Sequence, residues 1–160
     1  MDMRTSTSSV SFPRRNLLIG LASAALLPAT SWGHEAPLIE VWKSPSCGCC
    51  NDWITHLRTS GFRVKSYDTG NAPKRALLGM PAKLASCHTA KIDDYVIEGH
   101  VPAREIQRLL KERPKALGLS VPGMPLGSPG MDGEAFDHKS EPYNVLLVLH
   151  NGATSAFQAY

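Results

Sequence analysis

Leu38-Ile-Glu-Val-Trp-Lys-Ser-Pro-Ser-Cys-Gly-Cys-Cys-Asn-Asp-Trp-Ile-Thr-His-Leu57 is the stretch on which the reading of the fold turns. Its first six residues, Leu38 to Lys43, read as a strand, and Ser44-Pro45-Ser46 ends that strand with turn chemistry. Cys50, Trp53, Ile54 and Leu57 then fall at i, i+3, i+4 and i+7, the spacing of one buried helical face, and Gly61 stops the helix. Cys47, Cys49 and Cys50 therefore stand where a strand hands over to a helix.

Working outward, Phe62 to Tyr67 alternates apolar with polar, with Phe62, Val64 and Ser66 on one face, as a second strand does. Pro73 suits a first helical position, and Ala76, Leu77 and Met80 predict a short second helix ended by Gly79 and Pro81. His88 to Ile92, a turn at Asp93-Asp94 and Tyr95 to Glu98 read as a hairpin. Pro102 opens a helix with Ile106, Leu109 and Leu110 inward, and Pro114 ends it. The order β-α-β-α-β-β-α over residues 38–113, with cysteines at the first β-to-α junction, is that of an α/β, thioredoxin-like fold. Such an analogy of architecture does not establish activity. Residues 114–160 form a C-terminal extension. Val121-Pro-Gly-Met-Pro-Leu-Gly-Ser-Pro-Gly-Met131 holds three Pro, three Gly and two Met in eleven residues, which excludes a helix or central strand. Asn144 to His150, a turn at Asn151-Gly152 and Ala153 to Tyr160 read as an added β-hairpin.

Residues 1–33 have the layout of a signal peptide. Arg14 and Arg15 precede an apolar run from Leu17 to Leu27, eleven residues where a membrane-spanning helix needs about 20. Small residues allow cleavage after Ser31 or Gly33, and Arg14-Arg15 with Asn16, Leu17 and Leu18 resembles a twin-arginine export signal. The mature domain is then 34–160, with no membrane span left after cleavage. Removing Arg4, Arg14, Arg15 and Asp2 from 17 basic and 14 acidic residues leaves 14 and 13. A net charge of +1 gives no reason to expect nucleic acid or an anionic membrane as partner. A monomer in the periplasm is expected.

All four cysteines lie in that exported part, where an even number ordinarily means disulfides. Their spacing argues for a different use. The outer pair, Cys47 and Cys50, has the C-x-x-C spacing of thiol oxidoreductases, and a helix N-terminus favours thiolate, which is both nucleophile and metal ligand. Cys49 adds a third thiol, from which a dithiol enzyme gains nothing obvious but a metal site does. Ser86-Cys87-His88-Thr89 occupies the loop where the thioredoxin layout carries a cis-proline, so Cys87 and His88 should face the first three thiols. His100 should emerge at the same end, and Met124 and Met131 lie in a loop free to fold over it. Four sulfurs suit Cu(I), or Zn(II) in tetrahedral geometry, and thioether ligands select Cu(I). His56, on a polar helix face, and His150, at a strand end, are read as inert.

The blocks Lys43-Ser-Pro-Ser-Cys-Gly-Cys-Cys50, Leu84-Ala-Ser-Cys-His-Thr-Ala90, Tyr95-Val-Ile-Glu-Gly-His-Val-Pro-Ala103 and 121–131 closely resemble the CopG-type periplasmic copper-resistance proteins of Gram-negative bacteria. The resemblance runs from about residue 38 to the C-terminus. It implies a thioredoxin domain whose extension helps to bind metal, and a cluster of copper ions bridged by cysteine sulfur. It also implies a role in interconverting Cu(I) and Cu(II) ahead of efflux. The metal ligands then fall on Cys47, Cys49, Cys50, Cys87 and His88, with Met124 and Met131 from the extension.

The leading expectation is a copper-tolerance protein that binds copper ions and works with a periplasmic efflux system or an electron donor. The main rival is a periplasmic thiol-disulfide oxidoreductase using Cys47 and Cys50, with Cys87 resolving. A structural Cys₄ zinc module is the third.

Overall fold

The computed structural model describes residues 35–160; the leader expected over 1–33 lies outside them. In chain order the elements are β1 (Leu38–Lys43), α1 (Gly48–Thr59), β2 (Arg63–Tyr67), α2 (Ala72–Leu77), β3 (His88–Ile92), β4 (Tyr95–Glu98), α3 (Ala103–Glu112), β5 (Gly118–Ser120), β6 (Asn144–Val148) and β7 (Thr154–Ala159). Single 3-10 turns lie at Ala82–Leu84 and Glu134–Phe136. The expected β-α-β-α-β-β-α order over 38–113 is present. Among the described residues no helix is long and apolar enough to cross a membrane.

All seven strands belong to one sheet in the order β2-β1-β3-β4-β5-β6-β7. β1 runs parallel to β2 and β4 to β5, and every other neighbouring pair is antiparallel. Alternation along β1 sends Ile39 and Val41 to one face of the sheet and Glu40 and Trp42 to the other. On the first face Ile39 and Val41 join Trp53, Ile54 and Leu57 of α1 and Ile106 and Leu109 of α3 in the main core. On the other face Val96 and Val148 meet Met80, Leu84 and Leu117 in a smaller cluster.

The helices start and stop for local reasons. Gly61, at φ 92, takes the left-handed conformation that ends α1. α3 has no capping side chain of its own at Pro102. His56 of α1 supplies the cap instead: its Nε2 accepts the Ala103 N–H at 3.0 Å. His56 was expected to be inert because a polar face in sequence cannot show that another helix begins beside it.

Two further expectations need correction. The Ala76, Leu77 and Met80 pattern does not make a buried helical face: α2 buries no residue and Leu77 is 77% exposed. Only Met80, beyond the helix, turns into the smaller cluster. The expected C-terminal hairpin is present as β6 and β7; what needs correcting is that no strand was expected before it. Gly118-Leu119-Ser120, too short and glycine-containing to signal a strand, pairs with both β4 and β6 and so joins β6 and β7 to the main sheet.

Burial, opposed by nearby Asp132, holds the His56 imidazole below its ordinary 6.5, so it is neutral and able to accept at neutral pH. A group depressed in the folded state stabilises above its unfolded pKa and is lost as pH falls through the folded one. Urea unfolding should therefore show wild-type stability declining as pH drops below about 6.5. His56→Ala should cost about 1 kcal/mol above that value and flatten the decline. An equal decline in the variant would contradict the cap.

Candidate metal centre

The site is built at the end of the sheet where β1 stops and β3 begins. Their antiparallel register sets Lys43 opposite His88, so the turn after β1 and the loop before β3 emerge side by side. Ser44 and Cys47 close the turn with a Cys47 N–H to Ser44 carbonyl bond of 3.1 Å, and Cys47 becomes the N-cap residue of α1 with no side-chain cap bond. The helix thus begins with its free N–H groups among sulfur atoms.

Cys47 and Cys50 are joined by a disulfide, and Cys49 and Cys87 are free. The Cys87 sulfur lies 3.4 Å from that of Cys50 and 3.9 Å from that of Cys49, and Cys47 and Cys49 sulfurs are 3.6 Å apart. The expected convergence of all four is therefore present, with two of the four thiols spent in a bond.

Two imidazoles complete the arrangement. His100 Nε2 is 3.0 Å and His88 Nδ1 3.3 Å from the Cys87 sulfur. Nδ1 of His100 lies 2.8 Å from the Pro129 carbonyl. A carbonyl only accepts, so Nδ1 carries the proton and Nε2 presents its lone pair to Cys87. His88 is fully buried, packs tilted against Trp53 with ring centroids 4.2 Å apart, and its Nε2 has no hydrogen-bond partner among the described residues. The donor atoms fall into two overlapping sets, Cys47, Cys49, Cys50 and Cys87, and Cys87, His88 and His100, each within 4.8 Å. Sulfur atoms and neutral imidazoles placed this close together form a donor set that could hold a soft or borderline metal ion once the thiols are free and deprotonated.

The comparisons bear on which metal proteins are built this way. Two solved structures of copper resistance protein CopG, forms 2 and 1, each align at 39% identity and a TM-score of 0.72. They cover 79% of this chain and 99% and 98% of their own. The chain belongs to the CopG copper-resistance family. The family model described as a protein of unknown function, DUF411, matches residues 84–131. That span holds Cys87, His88, His100, Met124 and Met131, but not the Cys47–Cys50 segment. No curated protein matches the chain.

In this CopG relative the extension lies against the centre through its backbone. Gly123 donates to the Ala85 carbonyl at 3.0 Å and accepts from the Ser86 hydroxyl, beside Cys87. Gly130, at φ 87, packs so closely on α1 that an added Cβ would stand 2.6 Å from the Cys49 carbonyl oxygen and 2.8 Å from Trp53 N. Met124, between these two anchor points in the chain, is half exposed, whereas Met131, directly after Gly130, is buried. Sequence reasoning missed Pro129, the carbonyl that orients His100, and also Glu98, Arg75 and Asn71, which hold the Cys87 loop. Glu98 stood inside the block Tyr95–Ala103, where a charged residue in an otherwise apolar strand was the available signal.

Protonation follows from burial. Burial, then the Cys49 sulfur, push the Cys87 thiol up to about 12, so it is protonated at neutral pH and donates to His100. Burial, then neighbouring His100, hold His88 well below its ordinary value, and burial lowers His100 as well, opposed by the Pro129 carbonyl and Asp132. Both imidazoles are thus neutral, the form that binds metal. With the Cys47–Cys50 bond intact, alkylation of Cys87 should still be accelerating well above about 8.5, the ordinary thiol pKa. A rate that levels off below that point contradicts the protonation state described.

Proposed function

We propose that this chain is a periplasmic copper-binding protein of copper tolerance, exported by the leader at 1–33 and folded as a thioredoxin-like domain over 34–160. The reading rests on the convergence of the Cys87 sulfur with the Cys49 and Cys50 sulfurs and the two neutral imidazoles. Cys47, Cys49, Cys50 and Cys87 bind the copper through thiolates that bridge ions, with His88 and His100 on the buried side and Met124 and Met131 from the extension above. Two electrons and two protons from a periplasmic thiol reductant open the Cys47–Cys50 bond and return both sulfurs to the centre. Copper then displaces the Cys87 proton, so uptake weakens as pH falls. A mixed set of sulfur and nitrogen ligands accepts both oxidation states, which suits transfer of one electron from a periplasmic electron donor to Cu(II), giving Cu(I), before the ion is passed to an efflux system.

The Cys47–Cys50 disulfide favours one rival, a thiol-disulfide oxidoreductase using Cys47 and Cys50, with Cys87 resolving. That chemistry needs neither Cys49 nor the imidazoles, so the two readings separate cleanly. Anaerobic titration of the reduced protein with Cu(I) should show at least one tightly held ion per chain, with markedly weaker binding in Cys49→Ala and Cys87→Ala. Insulin reduction that survives Cys49→Ala, together with no tight Cu(I) binding, would replace the copper reading with the rival.

A further inference from the structure

Cys87 is the one cysteine not placed by α1, and the loop that carries it is short, half-buried and without regular structure. We propose that Glu98, held by Arg75, is the positioning residue that fixes the Cys87 loop within the centre, a role that rests on the copper reading above.

Thr89, Glu98 and Ser120 are register partners across β3, β4 and β5, and all three are fully buried on the sheet face opposite α1. One Glu98 oxygen accepts the Ser86 N–H at 2.7 Å and faces Arg75 Nη1 at 3.2 Å, while the other accepts the Thr89 hydroxyl at 2.6 Å. A single carboxylate thus grips the residue before Cys87 and the residue after His88. Asn71 Nδ2 completes the clamp by donating to the Ser86 carbonyl at 3.1 Å and lying 3.3 Å from the Thr89 hydroxyl. Both main-chain polar groups of Ser86 are therefore held by side chains.

The same strand end serves His100. Gly99, at φ 73, donates to the His88 carbonyl at 3.0 Å and turns the chain so that His100 faces Cys87. An added Cβ on Gly99 would lie 2.6 Å from Cβ of Ser86, so the Glu98–Gly99 corner and the Cys87 loop are fitted to one another. Attaching α2 to the sheet does not require this arrangement, because apolar residues would serve there without desolvating a carboxylate. What apolar residues would not do is fix the direction of one loop N–H. Outer partners of this kind orient metal ligands and set affinity without touching the metal.

Glu98→Gln, of the same size but uncharged, is the test, with Asn71→Ala as a second variant at a partly exposed position should the first fail to fold. With the Cys47–Cys50 bond intact, iodoacetamide labelling followed by peptide mass spectrometry should show Cys87 reacting severalfold faster than in wild type. Cys49, placed by α1, should be unchanged. After reduction, Cu(I) affinity measured by competition with a chromogenic chelator should fall about 10–100-fold. Unaltered Cys87 labelling, or Cys49 accelerating in step with Cys87, overturns the positioning role. A wild-type protein that takes up no Cu(I) overturns the copper reading instead, and that result is separate from the labelling pattern.

Discussion

The antiparallel pairing of β1 with β3, in the register that places Lys43 opposite His88, determines where the sulfur atoms meet. Side chains alternate along a strand, so a slip of one residue would send His88 to the other face and carry Cys87 away from α1. Register here is held by burial on both faces. Ile39 and Val41 are fully buried against α1, while Thr89 and Glu98 are fully buried on the far side. The chemistry of the centre is thus anchored to the core, although three of its four cysteines lie partly open to solvent at one end of the central strands.

Around that anchor the protein arranges donors in a proton-holding state. The thiol of Cys87, partly buried and next to other sulfurs, keeps its proton and donates it in a hydrogen bond to His100, whose tautomer is set by the Pro129 carbonyl. Proline contributes no competing N–H at that point, and its carbonyl sits in a turn pressed onto α1 by Gly130. The extension therefore orients one imidazole, closes over the start of α1 and pins Ser86, all through main-chain atoms. Its high content of Gly and Pro is what allows a backbone to come this close.

Much of this was legible in the sequence, and the failures are informative. Helical spacing from Cys50 to Leu57 named the buried face of α1 correctly, because burial and periodicity coincide there. The same logic failed for Ala76 and Leu77, since α2 is attached to the sheet by Arg75 and Asn71, polar residues that carry no hydrophobic period. β5 was invisible for a related reason: three residues are too few to alternate, and a strand buried on both sides gives no polar face. Convergence of Cys87 with the first three cysteines followed from the element order alone. The Cys47–Cys50 bond did not, because spacing permits both a dithiol and a ligand pair and only proximity distinguishes what forms.

Sulfur from two distant parts of the chain and nitrogen from His88 of β3 and His100 just beyond β4 are proposed to share one copper centre. X-ray absorption at the copper edge, on reduced protein loaded with one equivalent of Cu(I), addresses it most directly. The account predicts a first shell dominated by sulfur with an imidazole contribution, and loss of sulfur scattering in Cys87→Ser. A shell of nitrogen and oxygen alone, or a spectrum indifferent to that substitution, would contradict it.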